Sequence, residues 1–266
     1  MKTNGQLIFL GTGGSMGVPV IGCHCEVCRS ESSNNKRLRP SALLHMNQKN
    51  IVIDAGPDYR LQALKYNINH LDGVIFTHAH HDHTAGIDDL RAYYMHTGQV
   101  ISCLLSNETV DDLRSRYHYI FANNKSKHQL TTSITLQVLE RGRGEVSFLG
   151  LQVGYFTFEQ AGMTVNGFRF GNLGFVSDIS RYPESIFEDL EGIDILVLSA
   201  LRFEPSPLHF NIDEAVDFSQ RLGVKETWLT HIAHEVDHEK TNAYLPSNIQ
   251  LAYDGLSLDF LAEVAK

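Results

Sequence analysis

The sequence predicts an α/β sandwich, and three observations carry that expectation. Short apolar segments rich in β-branched and aromatic residues recur along the whole chain, each stopped by glycine, aspartate or a polar cluster. Amphipathic helical segments are fewer and lie between them. Several strands end in an aspartate or a histidine, the place where such folds carry functional side chains on loops. With 266 residues, 42% of them hydrophobic, and no low-complexity linker or internal repeat, residues 1–266 read as a single domain around one large core.

The strands follow in chain order as "QLIFLG", "NIVIDA", "DGVIFT", "ISCLLS", "LQVGYFTF", "GFRFG", "LGFVSD", "DILVLS", "ETWLTH", "IQLAYDG" and "LSLDF". The clearest helix lies in "FNIDEAVDFSQRLG". There Asn211 can cap, Glu214 stands at the capping-box position, Ile212, Ala215, Val216 and Leu222 trace one apolar face, and Gly223 ends the run. Residues 107–120 form a second candidate helix and 183–190 a third, with Pro183 in a tolerated first-turn position.

Charge and hydropathy exclude some functions. A net charge of −9 with no run of lysine or arginine argues against a surface that tracks long nucleic acid. A small anionic substrate remains compatible with the chain if a metal supplies local positive charge. No window reaches eighteen uninterrupted apolar residues, and the N-terminal apolar run is too short for a signal peptide, so the expected location is cytoplasmic, with no membrane partner.

The most specific signal is "THAHHDH" at residues 77–83, directly after the strand "GVIFT". His78 and His80 are two apart and can point the same way from an extended segment, while Asp82 and His83 come round after the turn. Two metals side by side would use all four. Asp54, Asp178 and His231 close three other strands, and an ionisable group at the end of an apolar strand is costly unless paired or coordinated. His45, His70, His96, His118, His128 and His238 read as ordinary surface or hydrogen-bonded residues.

Three of the four cysteines cluster in "GCHCEVC" as Cys23, Cys25 and Cys28. In a cytoplasmic chain this spacing suggests a structural zinc, which needs one more ligand beside three thiolates. His24, between two of them, is too constrained to face the same ion. Cys103, flanked by aliphatic residues, reads as a buried thiol. The stretch "GTGGSMG" lacks the ending of a phosphate-binding loop and reads as a tight turn beside the metal site.

Taken with "FLGTGGSMGVPVIGCHCEVC", "IDAGPDYR", "GIDDLR", "LTHIAHEVDH" and "LAYDG", the H-x-H-x-D-H pattern resembles the metallo-β-lactamase superfamily, in its PhnP-like phosphodiesterase branch. The resemblance spans nearly the whole chain. It implies an αββα sandwich of two mixed sheets flanked by helices, with two divalent metal ions (Zn, Mn or Fe) at one edge and one structural Zn. By that resemblance His78 and His80 hold the first metal, Asp82 and His83 the second, Asp178 bridges both, His231 completes the second site, and Asp54 orients a ligand imidazole. It also implies His234 as the fourth structural zinc ligand and catalytic roles for Asp82 and His209, the latter orienting the phosphate or protonating the departing alkoxide. One family histidine is absent: Gln160, in "FEQAGMTVNG", stands at its position. Gln160 could ligate weakly through its carbonyl oxygen, Glu159 could replace it by a register shift, the first metal could be loosely held, or Gln160 could be a surface residue.

The function the resemblance implies is hydrolysis of a small phosphodiester, cyclic ones such as a ribose or nucleotide 2′,3′-cyclic phosphate included, at a two-metal site that needs no protein nucleophile. The expected partner is that small substrate, with nucleic acid beyond nucleotides not expected and a homodimer left open. Two alternatives stand beside it: a nuclease of the tRNA-processing type, and a non-hydrolytic PqqB-like relative in which the glutamine marks a degenerate metal site.

Overall fold

The computed structural model describes residues 2–122, 131–140 and 142–265; His128 lies outside them. The first sheet is built from β1 (Lys2–Gly11), β2 (Ser41–Met46), β3 (Lys49–Ile53), β4 (Gly73–Ile75), β5 (Ile101–Ser106) and β6 (Ile134–Leu139). The second comprises β7 (Arg143–Phe148), β8 (Leu151–Gln160), β9 (Met163–Phe170), β10 (Leu173–Val176), β11 (Ile195–Ser199), β12 (Glu226–Thr230) and β13 (Ile249–Leu251). The last strand, β14 (Ser257–Glu263), returns to the first sheet beside β1. Both sheets have seven strands, in the orders β14-β1-β2-β3-β4-β5-β6 and β13-β12-β11-β10-β9-β8-β7. Each is mixed, with β3 to β6 and β10 to β13 running parallel and the remaining pairs antiparallel. This is the predicted αββα sandwich.

Side-chain alternation explains how the layers hold together. On β11, Ile195 and Val197 point into the space between the sheets, where they meet a core that includes Leu7, Leu44, Phe168 and Phe175. Leu196 and Leu198 point outward onto Ile212, Ala215 and Phe218 of the helix Ile212–Leu222. A strand covered on both faces must be apolar at every position, which is why "DILVLS" shows no alternation in the sequence. The other outer face, with Val52, Val74, Phe76 and Leu105, packs against Tyr59, Leu90, Tyr93 and Leu113.

The helix after Asn211 forms as predicted: Asn211 accepts from the Glu214 amide at 2.9 Å, Glu214 accepts from the Asn211 amide at 2.8 Å, and Gly223 closes it at φ 70. The helix expected over 107–120 divides into Asn107–Arg116 and His118–Phe121, because Tyr117 between them leaves helical geometry at φ −120, ψ 44. The helix expected over 183–190 shortens to Ile186–Asp189. Among the described residues no helix is long and apolar enough to cross a membrane.

The fold positions the site through its parallel strands. Asp54 follows β3, His78 to His83 follow β4, Asp178 follows β10 and His231 follows β12. Their carboxyl ends open on one edge of the sandwich, the usual place for ligands in α/β sheets. Asn166 of β9 ties the two sheets together there, since both its main-chain amide and its side-chain amide donate to the Thr77 carbonyl at 2.9 Å.

Candidate metal centre

Asp54, Asp178 and His231 share an unusual backbone: their φ values are 61, 56 and 61. Left-handed geometry costs a non-glycine residue roughly 1 kcal/mol or more, and it persists where the surroundings enforce it. Here each residue sits within two positions of a strand end, and the reversed φ turns its side chain into the cleft instead of along the sheet.

Asp54 organises the inner wall. Its Oδ1 accepts from the Thr77 amide and its Oδ2 from the Thr77 hydroxyl, both at 2.8 Å. His83 Nδ1 lies 2.6 Å from the same Oδ2. A carboxylate can only accept, so His83 carries its proton on Nδ1 and presents Nε2 as a lone pair. The Thr77 hydroxyl has spent its hydrogen on Asp54, and so accepts from His78 Nδ1 at 2.9 Å. His78 therefore also presents Nε2. Thr77 went unremarked in the sequence, although its place between strand and motif was the available signal.

Both Nε2 atoms face Asp178. His83 Nε2 is 2.7 Å and His78 Nε2 3.1 Å from Asp178 Oδ2, while His231 Nε2 is 3.1 Å and His209 Nδ1 3.3 Å from Oδ1. Asp82 Oδ2 lies 3.5 Å from both His83 and His231, and His80 Nδ1 is 2.8 Å from His78 Nε2. The donor atoms fall into overlapping groups: His78, His80 and Asp178; Asp82, His83 and His231; and Asp178, His209 and His231, each within 4.8 Å. Yet His83 Nε2, both Asp178 oxygens and both His231 nitrogens are buried without a hydrogen bond. Lone pairs so close and so dry repel one another unless cations lie between them. The residues fit divalent ions, and the mixed imidazole and carboxylate set suits Zn, Mn or Fe alike.

The electrostatics agree. Burial, with the neighbouring His83 charge, drives His78 down to about 4, so it is neutral and able to ligate at physiological pH. Burial also disfavours charge on His83, but the carboxylates of Asp178, Asp82 and Asp54 outweigh it and hold its pKa well above the ordinary histidine range, so positive charge is drawn to its Nε2, as a second proton or as a metal ion that takes the proton's place. Burial works against ionised Asp178 too, and the positive charge of His231 and His83 overcomes it, keeping that carboxyl well below the usual range. The pocket holds negative charge ready for a cation.

Asp82 depends on a glycine. A Cβ on Gly56 would stand 1.9 Å from the Asp82 carbonyl oxygen, an overlap that only backbone movement relieves. Gly56→Ala is expected to displace the Asp82 turn and weaken divalent-ion binding about tenfold or more, with a rate loss approaching 100-fold for about an ångström of misplacement. Calorimetric titration of metal-free protein checks it, and unchanged affinity would show that Asp82 takes no part.

Gln160 is not a surface residue. It is 1% exposed, at the end of β8, and its Nε2 donates to the Leu208 carbonyl at 2.9 Å and lies 3.2 Å from His209 Nδ1. Glu159 is exposed, and its carboxylate caps the Gly162 amide at 3.1 Å, so the register-shift alternative fails: strand alternation sends neighbouring side chains to opposite faces. His209 stacks on His231 with ring centroids 4.8 Å apart. His238 is buried and hydrogen-bonded to Arg37 at 3.0 Å.

The second cluster also assembles. Cys23, Cys25, Cys28 and His234 place their donor atoms within 4.8 Å of one another, with Cys23 Sγ 3.3 Å and Cys25 Sγ 3.4 Å from His234 Nδ1. Tetrahedral zinc with bonds of about 2.3 Å separates its ligand atoms by about 3.8 Å, a comparable spacing. A hydrogen bond from the Cys28 amide, then the contact with His234, lowers the Cys25 thiol to about 6. Cys103 is fully buried and its thiol is pushed up to about 12. The glycine-rich stretch lies where expected: the Gly14 amide donates to Ile232 at 3.0 Å, and a Cβ on Gly14 would meet His231 Nδ1 at 3.4 Å.

A family model described as the beta-lactamase superfamily domain matches residues 49–232. A solved diphosphatase from the PhnP family superimposes with a TM-score of 0.91 at 35% identity, covering 98% of this chain and 99% of that one. An octanoyltransferase of Porphyromonas gingivalis is 34% identical over 259 residues, 94% of this chain and 51% of that protein. Zinc-bound PqqB from Methylobacterium extorquens has the same fold, with a TM-score of 0.74 at 18% identity over 96% of this chain and 100% of that one. The chain spans about half the length of the curated relatives it matches.

Proposed function

The chain belongs to the metallo-β-lactamase superfamily, in its PhnP-like branch, and from that premise we propose that it is a metal-dependent phosphodiesterase acting on a small diester, cyclic nucleotide or ribose phosphates included. The observation that carries this reading is the convergence of two donor groups on the orphaned oxygens of Asp178. In it His78, His80 and Asp178 would hold one ion and Asp82, His83 and His231 the other, with Asp178 placed to serve both. Ions held there supply Lewis acidity and a nucleophilic water at neutral pH.

The chain's own residues do the rest. Asp54 and Thr77 lock the tautomers of His83 and His78, so the ligand lone pairs are set before any substrate arrives. His209, partly open at 14% side-chain exposure and fastened beside Asp178, hands a proton to the departing oxygen. The cysteine cluster with a structural zinc steadies the loop that carries His231. We place the protein in the cytoplasm, acting on a small substrate.

One comparison favours a second reading, in which the bond cleaved is a phosphoanhydride: the relative at 35% identity is described as a diphosphatase. Attack at phosphorus is common to both, so the two differ in the leaving group. Acyl transfer, the activity in the name of the octanoyltransferase relative, finds less support. A thiol route would need an accessible, uncommitted cysteine: Cys103 is sealed in the core, and the partly exposed Cys23 and Cys25 converge with Cys28 on His234 as a metal-type set. The convergence of the remaining His and Asp donors on Asp178 likewise favours hydrolysis over a non-hydrolytic PqqB-like role.

The test is a substrate panel with metal removal. Protein loaded with Mn or Zn is expected to hydrolyse bis(p-nitrophenyl) phosphate and a nucleoside 2′,3′-cyclic phosphate, to lose that activity on treatment with EDTA, and to recover it on adding the ion back. Activity confined to diphosphates selects the second reading. Full activity after chelation, with the metal shown to be gone, sinks both.

A further inference from the structure

Position 160 carries a glutamine where the sequence pattern expects an imidazole, and the structure suggests what the exchange achieves. The carbonyl of Leu208, 2.9 Å from Gln160 Nε2, can only accept a hydrogen bond. The amide orientation follows: NH2 toward the 208–209 segment, Oε1 turned away. One of the two hydrogens on Nε2 serves Leu208, and the other faces the His209 ring, whose nitrogens lie 3.2 and 3.3 Å away. The same ring meets Asp178 Oδ1 at 3.3 Å and stacks on His231. Just beyond it, the Phe210 amide donates to Ile179 O at 2.9 Å.

We propose that Gln160 is a positioning residue for His209: one hydrogen of its NH2 group holds the Leu208 carbonyl and the other is accepted by the Nδ1 lone pair of the neutral His209 ring, which leaves the ring proton on Nε2 to serve the leaving oxygen. This rests on the reading of His209 as the group that protonates the leaving oxygen. Stoichiometry of donors supports it. A primary amide offers two hydrogens on one nitrogen, whereas an imidazole nitrogen offers one and a carboxylate none, so neither histidine nor glutamate at 160 can hold both partners. The donor nitrogen faces His209, and Oε1 remains buried without a protein partner. In this orientation Gln160 acts through its NH2 group, as the holder of His209.

The leaving group exposes the difference. A p-nitrophenolate departs without help, while an alkoxide needs a proton. Gln160→Leu is expected to lower kcat for an alkyl phosphodiester or a 2′,3′-cyclic phosphate by roughly 10- to 100-fold, to change kcat for bis(p-nitrophenyl) phosphate less than about threefold, and to leave KM near the parent's. In a His209→Ala background the same substitution should add nothing. Gln160→His and Gln160→Glu should behave like Gln160→Leu, although each brings a better metal donor, and they cover the case in which the leucine variant folds poorly.

Two readouts need no turnover. Calorimetric titration of the metal-free variant with zinc should match the parent, and the side-chain nitrogen resonances of His209 in the zinc-loaded protein should shift in Gln160→Leu. Equal losses on both leaving groups that persist without His209, or tighter metal binding and faster turnover in Gln160→His, overturn the proposal in favour of direct ligation. If the parent hydrolyses neither diester, the phosphodiesterase reading fails by itself, and an unshifted His209 resonance still decides against the contact.

Discussion

Replacing Asp178 by asparagine is expected to reduce phosphodiester hydrolysis by about 1,000-fold or more, roughly 4 kcal/mol of transition-state stabilisation, with the fold retained. Among the described residues, Asp178 is the one side chain whose two oxygens reach His78, His83, His209 and His231 together. The amide keeps the shape but loses the negative charge that balances two cations, and it turns an NH2 toward a ligand nitrogen. Asparagine is the better probe than alanine because it tolerates the left-handed backbone at φ 56. Alanine would add backbone strain to the lost carboxylate. Circular dichroism should be unchanged, since the neighbouring β10 residues Phe175 and Val176 stay in their cores. Asp82→Ala should fail comparably, through the other ion. Hydrolysis within tenfold of the parent in either variant would end the two-metal reading.

What the sequence displayed of this centre, and what it hid, divides along contact distance. The motif at 77–83, the aspartates and histidine closing three strands, and the cysteine triplet are local patterns, and each is found at the edge where the sandwich opens. Strands covered on both faces were legible for the same reason, as in "DILVLS". The strands that escaped notice include β7, an edge strand with Arg143, Gly144 and Glu145 exposed, where charge serves to blunt pairing and erases the apolar signal. The helix Tyr59–Lys65 was missed because Leu61 and Leu64 stand exposed on it, at 55% and 62%, and blur the amphipathic stripe. Gln160 was located by spacing, but its orientation is dictated by a carbonyl 48 residues away, and no local rule reaches that far. The reversed φ of Asp54, Asp178 and His231 is likewise invisible in sequence, since only glycine and asparagine announce such turns.

The cysteine cluster makes the second large prediction, on stability. Cys25→Ser is expected to lose one equivalent of zinc and about 3 kcal/mol, lowering Tm by about 5 °C for a chain of this size. The loss should be thermodynamic as well as chemical, because the cluster closes two segments more than 200 residues apart in sequence onto one point. Asn35 strengthens the same junction, donating to Asp237 at 2.9 Å and accepting from the His238 amide at 3.0 Å. Serine can still cap the short helix Glu26–Arg29, as Cys25 Sγ does through the Cys28 amide, so the change isolates the thiolate. His234→Ala should reproduce the zinc loss from the other side of the site. Catalysis should fall only several-fold in both variants, because His231 is also held by the hydrogen bonds that Ile232 makes with Thr12 and Gly14. Chelation orders the two clusters: four donors that enclose an ion release it more slowly than an open site, so EDTA should remove activity while this zinc stays bound. Unchanged zinc content together with unchanged Tm in Cys25→Ser would mean that the three thiols and His234 meet without a metal between them.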